Sequence, residues 1–313
     1  MRNTVILLSK RINLIHCCRL ARPGSRSSYL RAGEAMLPKS DPTHVPTLGI
    51  VMLNWNQGRF LRDAVESILA QSFTDWRLQI VDPGSADGSR ALYEMPFIAD
   101  DRRIEVLLEP DDGPSDGLNK GFSKLRCPYS YYLNADDRVI PGAFSEAVGY
   151  LKSHPSVDMV MGHGVQIDAW GHVMRRVYSD AFDPWAYVSG KAVTVQQATF
   201  FRQRVFEQAG GFNVSNKVSW DGEFVLAAGM SGASMHVLNR TWGEFRVYGG
   251  TITSDSSTRA KAQRELARMR DQYLTGNLRS GPSPIMLEAR RRLAHPIRSM
   301  SILTEKFLGR LPA

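Results

Sequence analysis

Cysteine is scarce: Cys17, Cys18 and Cys127 are the only three in 313 residues, and the first two are adjacent. That excludes a disulfide framework and a spaced zinc set, and it suits a reducing compartment. No apolar run reaches the roughly 20 residues that a membrane-spanning helix needs. Val5 to Leu8 is stopped by Lys10 and Arg11, too short for a secretory core. Neither a Gly-x-Gly-x-x-Gly turn nor a Lys-containing Gly-rich phosphate loop follows the first strand-like run. This argues against a dinucleotide oxidoreductase and a nucleotidyltransferase. No zinc-finger or RNA-recognition signature is present, so nucleic acid is not an expected partner.

Acidic residues are missing altogether from residues 1–33, which carry seven basic side chains. The net charge of +8 is therefore uneven: +7 over 1–33, −7 over 34–258 and +8 from Arg259 onward. An acidic body between two basic arms points to an anionic membrane surface as a contact for the arms. Residues 1–47, with Pro23-Gly24-Ser25-Arg26-Ser27-Ser28 and Pro38 to Pro46, read as a poorly ordered leader. Its composition fits an organellar transit peptide and, equally, sequence upstream of a start at Met36. Residues 259–313 read as a basic amphipathic helical tail. Leu266, Met269 and Tyr273 mark its first helix, and Leu287, Leu293, Ile297, Met300 and Leu303 a second one broken at Pro296. Such a tail can lie on an acidic membrane or, equally, pack back onto the acidic body or a partner subunit.

Between the arms, residues 48–258 alternate in pattern. Leu48 to Leu53 is a continuous apolar run, the mark of a strand buried on both faces. Phe60, Leu61, Ala64, Val65, Ile68 and Leu69 then recur at the helical period. Leu78–Val81, Ile104–Leu108 and the Tyr129–Leu133 stretch supply further strands. Strand, helix and strand in alternation predict an α/β domain with a parallel sheet, in which ligands collect beyond the carboxyl ends of the strands. The later chain predicts a helix around Phe144–Leu151, a strand over 157–167, a hairpin through Val173–Tyr178, a short helix ended by Gly210-Gly211 and a last strand over Trp242–Tyr248.

The polar residues gather at those strand ends. Tyr129 to Leu133 runs straight into Asn134-Ala135-Asp136-Asp137. Acid and amide oxygens there suit a hard divalent cation held against a ligand's phosphates, although an Asx-rich turn satisfying its own backbone has the same sequence. Asp116 and Lys120, four apart, either form a surface ion pair or face a ribose and a phosphate. In Trp220-Asp221-Gly222-Glu223-Phe224, a carboxylate beside a tryptophan opens an Ala-rich helix, where a plain cap is also possible.

Six segments in order carry a resemblance over roughly residues 48–252. They are Val51–Gln57, Val81-Asp82-Pro83-Gly84-Ser85-Ala86-Asp87-Gly88-Ser89, Ser115–Gly121, Leu133-Asn134-Ala135-Asp136-Asp137, Trp220–Phe224 and Phe245-Arg246-Val247-Tyr248-Gly249-Gly250. Together they resemble the family 2 glycosyltransferases, nucleotide-sugar enzymes of the GT-A fold, whose Rossmann-like domain has a central mixed sheet flanked by helices. The resemblance implies a nucleotide-diphosphate sugar donor, UDP by family analogy, and a glycan or lipid-linked acceptor. It also implies residue roles. Asp82 would bind the nucleobase beside the Asn54–Asn56 turn, while Asp116 and Lys120 would line the ribose and phosphate side. Asp136, supported by Asp137, would ligate Mn²⁺ or Mg²⁺, and the Asn134 amide would reach a water or a ribose hydroxyl. Asp221 would be the general base opposite the leaving group, which implies inversion.

Three departures from the family pattern stand out. Asn134 replaces the first acid of the Asp-x-Asp element, Pro83 follows Asp82, and Tyr248 stands where many relatives have His. The Gln-x-x-Arg-Trp element of processive synthases is absent, which implies transfer of single sugars. The expected setting is cytoplasmic, peripheral at the membrane face. Acceptor contacts are expected on loops 169–195 and 210–220. The competing reading is a catalytically degenerate GT-A domain acting as a nucleotide- or glycan-binding scaffold, with Asn134 and Pro83 as its support.

Overall fold

Strand β1 (Leu48–Leu53) is buried along almost its whole length because the sheet continues on both sides of it and helices cover both faces. The chain proceeds through helix α1 (Gly58–Leu69), β2 (Trp76–Val81), the short helices α2 (Ser89–Tyr93) and α3 (Pro96–Ala99), β3 (Ile104–Leu107), α4 (Pro114–Lys124) and β4 (Tyr129–Asn134). It continues through β5 (Arg138–Val139), α5 (Ala143–Ser153), β6 (Met159–Ile167), β7 (Val173–Val177) and α6 (Pro184–Val188). A 3₁₀ turn (Gln196–Ala198), β8 (Thr199–Arg202), α7 (Gln203–Gln208), α8 (Trp220–Met230), β9 (Met235–Arg246) and α9 (Ser256–Tyr273) complete it. This computed structural model describes residues 44–249 and 256–275, and beyond them only 281–283, 285–287, 289 and 293. The expected leader up to residue 43, the loop 250–255 and the tail from 294 lie outside the described residues.

The strands form one mixed sheet in the order β3-β2-β1-β4-β8-β6-β9-β5, with β7 paired to β6. The first four run parallel, and β8 pairs antiparallel with both β4 and β6. Sequence alternation therefore reads the parallel half correctly. The antiparallel continuation, which the resemblance implies, arises because β8 returns from a long excursion through β6 and β7.

Period-2 alternation feeds two cores. Ile50, Met52, Tyr131, Leu133 and Phe200 face the layer of α1 and α5, where Leu61, Val65, Ile68 and Phe144 meet them. Val51, Tyr132 and Phe201 face the opposite layer with Phe122 of α4 and Phe224 of α8. Helix α8 is apolar on nearly every side because it lies between that layer and α9, whose Met269 is buried in the same cluster.

Helix α4 lies so close to β1 that a Cβ on Gly121 would stand 2.5 Å from Val51 Cγ1. Gly121→Ala is expected to destabilise the fold by about 1–3 kcal/mol through overpacking, measured as a lower urea midpoint at unchanged slope.

Candidate active site

Parallel register brings the candidate residues to one edge. Leu53 is level with Val81 on one side and with Asn134 on the other. Asn54, Asp82 and Asp136 therefore all leave the sheet at its carboxyl rim. Asn56 adopts a left-handed backbone (φ 54°), which asparagine tolerates better than most residues. Its N–H donates to Ser85 Oγ (2.9 Å) and its Oδ1 accepts from the Ala86 N–H (2.8 Å), stapling the turn after β1 to the loop after β2. Asp87 accepts from the Gly58 N–H (2.7 Å) at the start of α1.

Asp82 is fully buried rather than open to a ligand. Its Oδ1 accepts the Gly84 and Ser85 N–H groups (2.8 and 2.7 Å), and its Oδ2 accepts the Tyr93 hydroxyl (2.6 Å) and the Asn54 amide (3.1 Å). Burial pushes this carboxyl upward, but the Tyr93, Ser85 and Gly84 hydrogen bonds outweigh it and hold the acid below its ordinary value. The expectation of a direct nucleobase contact thus meets a carboxylate whose oxygens are already engaged. Asp82 shapes the rim from behind, and what the rim presents is Trp55, 57% exposed between the two asparagines. Tyr93→Phe removes a donor shared by this network. It is expected to cost about 1–3 kcal/mol, read by chemical denaturation.

The two acids after β4 are seated differently. Asp136 is half-buried, and its Oδ2 lies 3.1 Å from the Tyr248 hydroxyl, which also donates to Gln57 Oε1 (2.7 Å). Asp137, expected to support a cation, is turned inward. It accepts from the Arg246 N–H (2.9 Å), the Gln197 amide (2.6 Å) and the Asn134 amide (3.3 Å). Burial raises both carboxyls, and the neighbouring Asp136 charge lifts Asp137 further. Asn134, in place of an acid, offers Asp137 a donor where a carboxylate would repel it.

Among the described residues no three His, Cys, Asp or Glu side chains gather as a metal site. The donor set still fits one hard cation at Asp136. A single carboxylate completed by ligand phosphates is a usual arrangement for Mg²⁺.

Arg246, a residue to which sequence reading gave no role of its own, ties this region together. Its Nε donates to the Asp136 carbonyl (2.9 Å), its Nη1 to the Asp168 and Ala169 carbonyls (3.2 and 3.3 Å), and its guanidinium stacks 4.5 Å over the Phe60 ring. Gln57, Gln196, Gln197 and Trp55 were likewise missed. Only Trp55 carried a signal, being a large aromatic in a turn.

Asp116 and Lys120 do form the ion pair that their spacing allows (2.7 Å), with Lys120 also on the Pro110 carbonyl (2.7 Å). The pair stands at the start of α4, and the adjacent Ser115 hydroxyl donates to the Asn216 carbonyl (3.2 Å). This fastens α4 to the loop that leads into Asp221.

Asp221 opens α8 and lines a cavity of about 300 Å³ together with Tyr132, Tyr187, Gln196, Leu266 and Met269. Burial raises its carboxyl above the ordinary value against the Gly222 N–H, which donates to Oδ1 (2.8 Å). Among the described residues it has no ion-pair partner. Gln196 joins the cavity to the strand ends: its amide donates to the Tyr132 carbonyl (2.7 Å), and the Asn134 amide donates to its Oε1 (3.4 Å). Beside Asp221, Glu223 is buried on Asn213, Asn216, Tyr273 and Arg268, the last two from α9. The first helix of the basic tail therefore packs back onto the acidic body and forms one wall of the cavity.

Known proteins match this chain in sequence and, among solved structures, in fold. The chain is 23% identical over 236 residues to the Bacillus subtilis protein TuaG, described as a teichuronic acid biosynthesis glycosyltransferase, covering 72% of this chain and 90% of TuaG. It is 24% identical over 215 residues to a PGL/p-HBAD biosynthesis glycosyltransferase of Mycobacterium bovis, covering 66% and 80%. Among solved structures, S. aureus TarS 1–349 in complex with UDP-GlcNAc matches with TM-score 0.56 at 13% identity, over 74% of this chain and 68% of that one. The mannosyltransferase PcManGT from Pyrobaculum calidifontis, in complex with GDP-Man and Mn²⁺, matches with TM-score 0.54 at 17% identity, over 87% and 78%. The fold is thus the GT-A mixed sheet that the motifs implied. The model of the glycosyl transferase family 2 matches residues 49–210, more than half of the chain, and this protein belongs to that family.

Proposed function

We propose that this glycosyltransferase moves a single sugar from a nucleotide-diphosphate sugar, a UDP-sugar in the first instance, to an acceptor hydroxyl with inversion at the anomeric carbon. The observation that carries this reading is Asp221: a carboxylate without an ion-pair partner among the described residues, raised by burial, in a cavity that Gln196 joins to the strand ends. An acceptor hydroxyl is a poor nucleophile, and a carboxylate facing the sugar opposite the leaving group takes its proton during attack. Exposed Trp55 gives the nucleobase a flat apolar surface, with Asn54, Asn56 and Asp82 holding it in place. Asp136 would hold Mn²⁺ or Mg²⁺, which supplies Lewis-acid offset of the charge on the departing diphosphate. Complexes of the neighbours with UDP-GlcNAc and with GDP-Man and Mn²⁺ support the donor class and the cation. The acceptor is a glycan or lipid-linked hydroxyl compound, met at a membrane face that the basic arms approach.

Detection of UDP release with several UDP-sugars and Mn²⁺ tests the reading, and no release with any donor would favour the degenerate scaffold. The pH profile is a second test. A base works deprotonated, so a raised carboxyl moves the acid limb of kcat/KM above the ordinary carboxylate value near ~4. Activity is expected to fall as the pH drops through that limb, and Asp221→Asn should remove it.

A further inference from the structure

The β6–β7 hairpin carries a surface outside the residues given donor, cation or base roles above. Trp170 at its turn is 77% exposed, and Val173 and Met174, which begin β7, are 64% and 59% exposed. Arg175 and Arg176 follow, both exposed, and neither meets a carboxylate among the described residues. The ladder is bulged at Met174, since Arg175 pairs with Gln166 and Val173 with the next β6 residue, Ile167. Val173 and Arg175 therefore take opposite faces, and with all four side chains exposed both faces of the ribbon are open. Along the hairpin the apolar side chains sit toward the tip and the arginines one step nearer the body. Asp168, the acid in the turn, is taken up by the Trp170 and His172 N–H groups (both 2.9 Å) and the His172 ring (3.1 Å).

We infer that this hairpin docks on an anionic lipid surface, with Trp170, Val173 and Met174 in the interfacial layer and Arg175 and Arg176 against the headgroups. Tryptophan settles at headgroup depth, aliphatic tips gain from entering the acyl boundary, and arginines add attraction to anionic lipid. An acidic glycan would reward the arginines but not Val173 and Met174. A second copy pairing edge to edge along β7, which among the described residues pairs only with β6, would bring four guanidinium groups together at a charge-guarded edge. The docked hairpin would hold the donor rim at the membrane, because Arg246 bonds both the hairpin turn and the Asp136 backbone. This hairpin is a different stretch of the sequence from the basic ends, and its lipid test does not depend on the transfer reading.

The test uses the full chain with vesicles of phosphatidylcholine, alone or mixed with phosphatidylglycerol, carrying brominated acyl chains that quench nearby tryptophan. With the anionic vesicles, quenching is expected in the native protein and a clear part of it should be lost in Trp170→Phe. Arg175→Gln with Arg176→Gln should lower partitioning roughly fivefold per arginine. Equal quenching in native protein and Trp170→Phe would overturn the inference, since only other parts of the chain would then touch lipid. So would a doubled mass in light scattering that the arginine variant abolishes, which means pairing between copies. A raised acceptor KM in Trp170→Phe with unchanged quenching would make Trp170 an acceptor platform and equally overturn it.

Discussion

Asp221→Asn is expected to lower kcat by roughly 10²–10⁴-fold while leaving donor binding and the fold in place. The substitution keeps the size of the side chain and leaves Oδ1 able to accept the Gly222 N–H (2.8 Å). What it removes is the ability to accept a proton. Among the described residues nothing stands in for it, because the cavity beside Asp221 is lined by Tyr132, Tyr187, Gln196, Leu266 and Met269 with no second carboxylate. Donor turnover with acceptor, set beside the thermal shift given by nucleotide, separates lost chemistry from lost binding. Full activity in Asp221→Asn would remove this residue from the reaction.

Glu223→Ala is expected to cost about 3 kcal/mol of stability, measured by urea denaturation. Glu223 is 1% exposed and is the common anchor of the loop before α8, through Asn213 and Asn216, and of α9, through Arg268 and Tyr273. Its loss strands the buried Asn216 amide and the half-buried Asn213 amide and releases the helix that walls the cavity. Burial raises this carboxyl, but the hydrogen bonds from Arg268, Asn213 and Asn216 prevail and depress it. A depressed acid contributes stability above its unfolded pKa, near 4.5, and that contribution fades as the pH falls through the lower folded value. The Glu223→Ala defect should therefore be largest near neutral pH and shrink in acid. A pH-independent loss below about 1 kcal/mol would mean that α9 is held by its apolar contacts alone.

The parallel half of the fold was legible because its strands are continuous apolar runs and α1 has a clean helical period. β9 was only partly legible: the pattern suggested Trp242 to Tyr248, whereas the strand runs Met235–Arg246, its first half interrupted by His236, Asn239 and Arg240. At the site, residue types located the rim, since Asn54, Asp82 and Asp136 follow strands whose register is parallel. Types could not say which carboxylates face outward. Asp82 and Asp137 are consumed by donors from Tyr93, Arg246 and Gln197, residues 11 to 109 positions away in sequence. The docking of α9 on the body was one of three open alternatives, beside a membrane and a partner subunit. A basic amphipathic helix has the same sequence whether its apolar stripe meets lipid or protein, and here Leu266 and Met269 meet the cavity.

The central claim is that one cleft holds cation, diphosphate and base. A crystal structure with a non-transferable UDP-sugar analogue and Mn²⁺ tests it most directly. The expected density has the nucleobase against Trp55, the cation on Asp136 with the diphosphate, and the sugar between them and the catalytic base Asp221. A nucleotide bound away from this rim, or a sugar with Asp221 on the same side as its leaving group, would contradict the account.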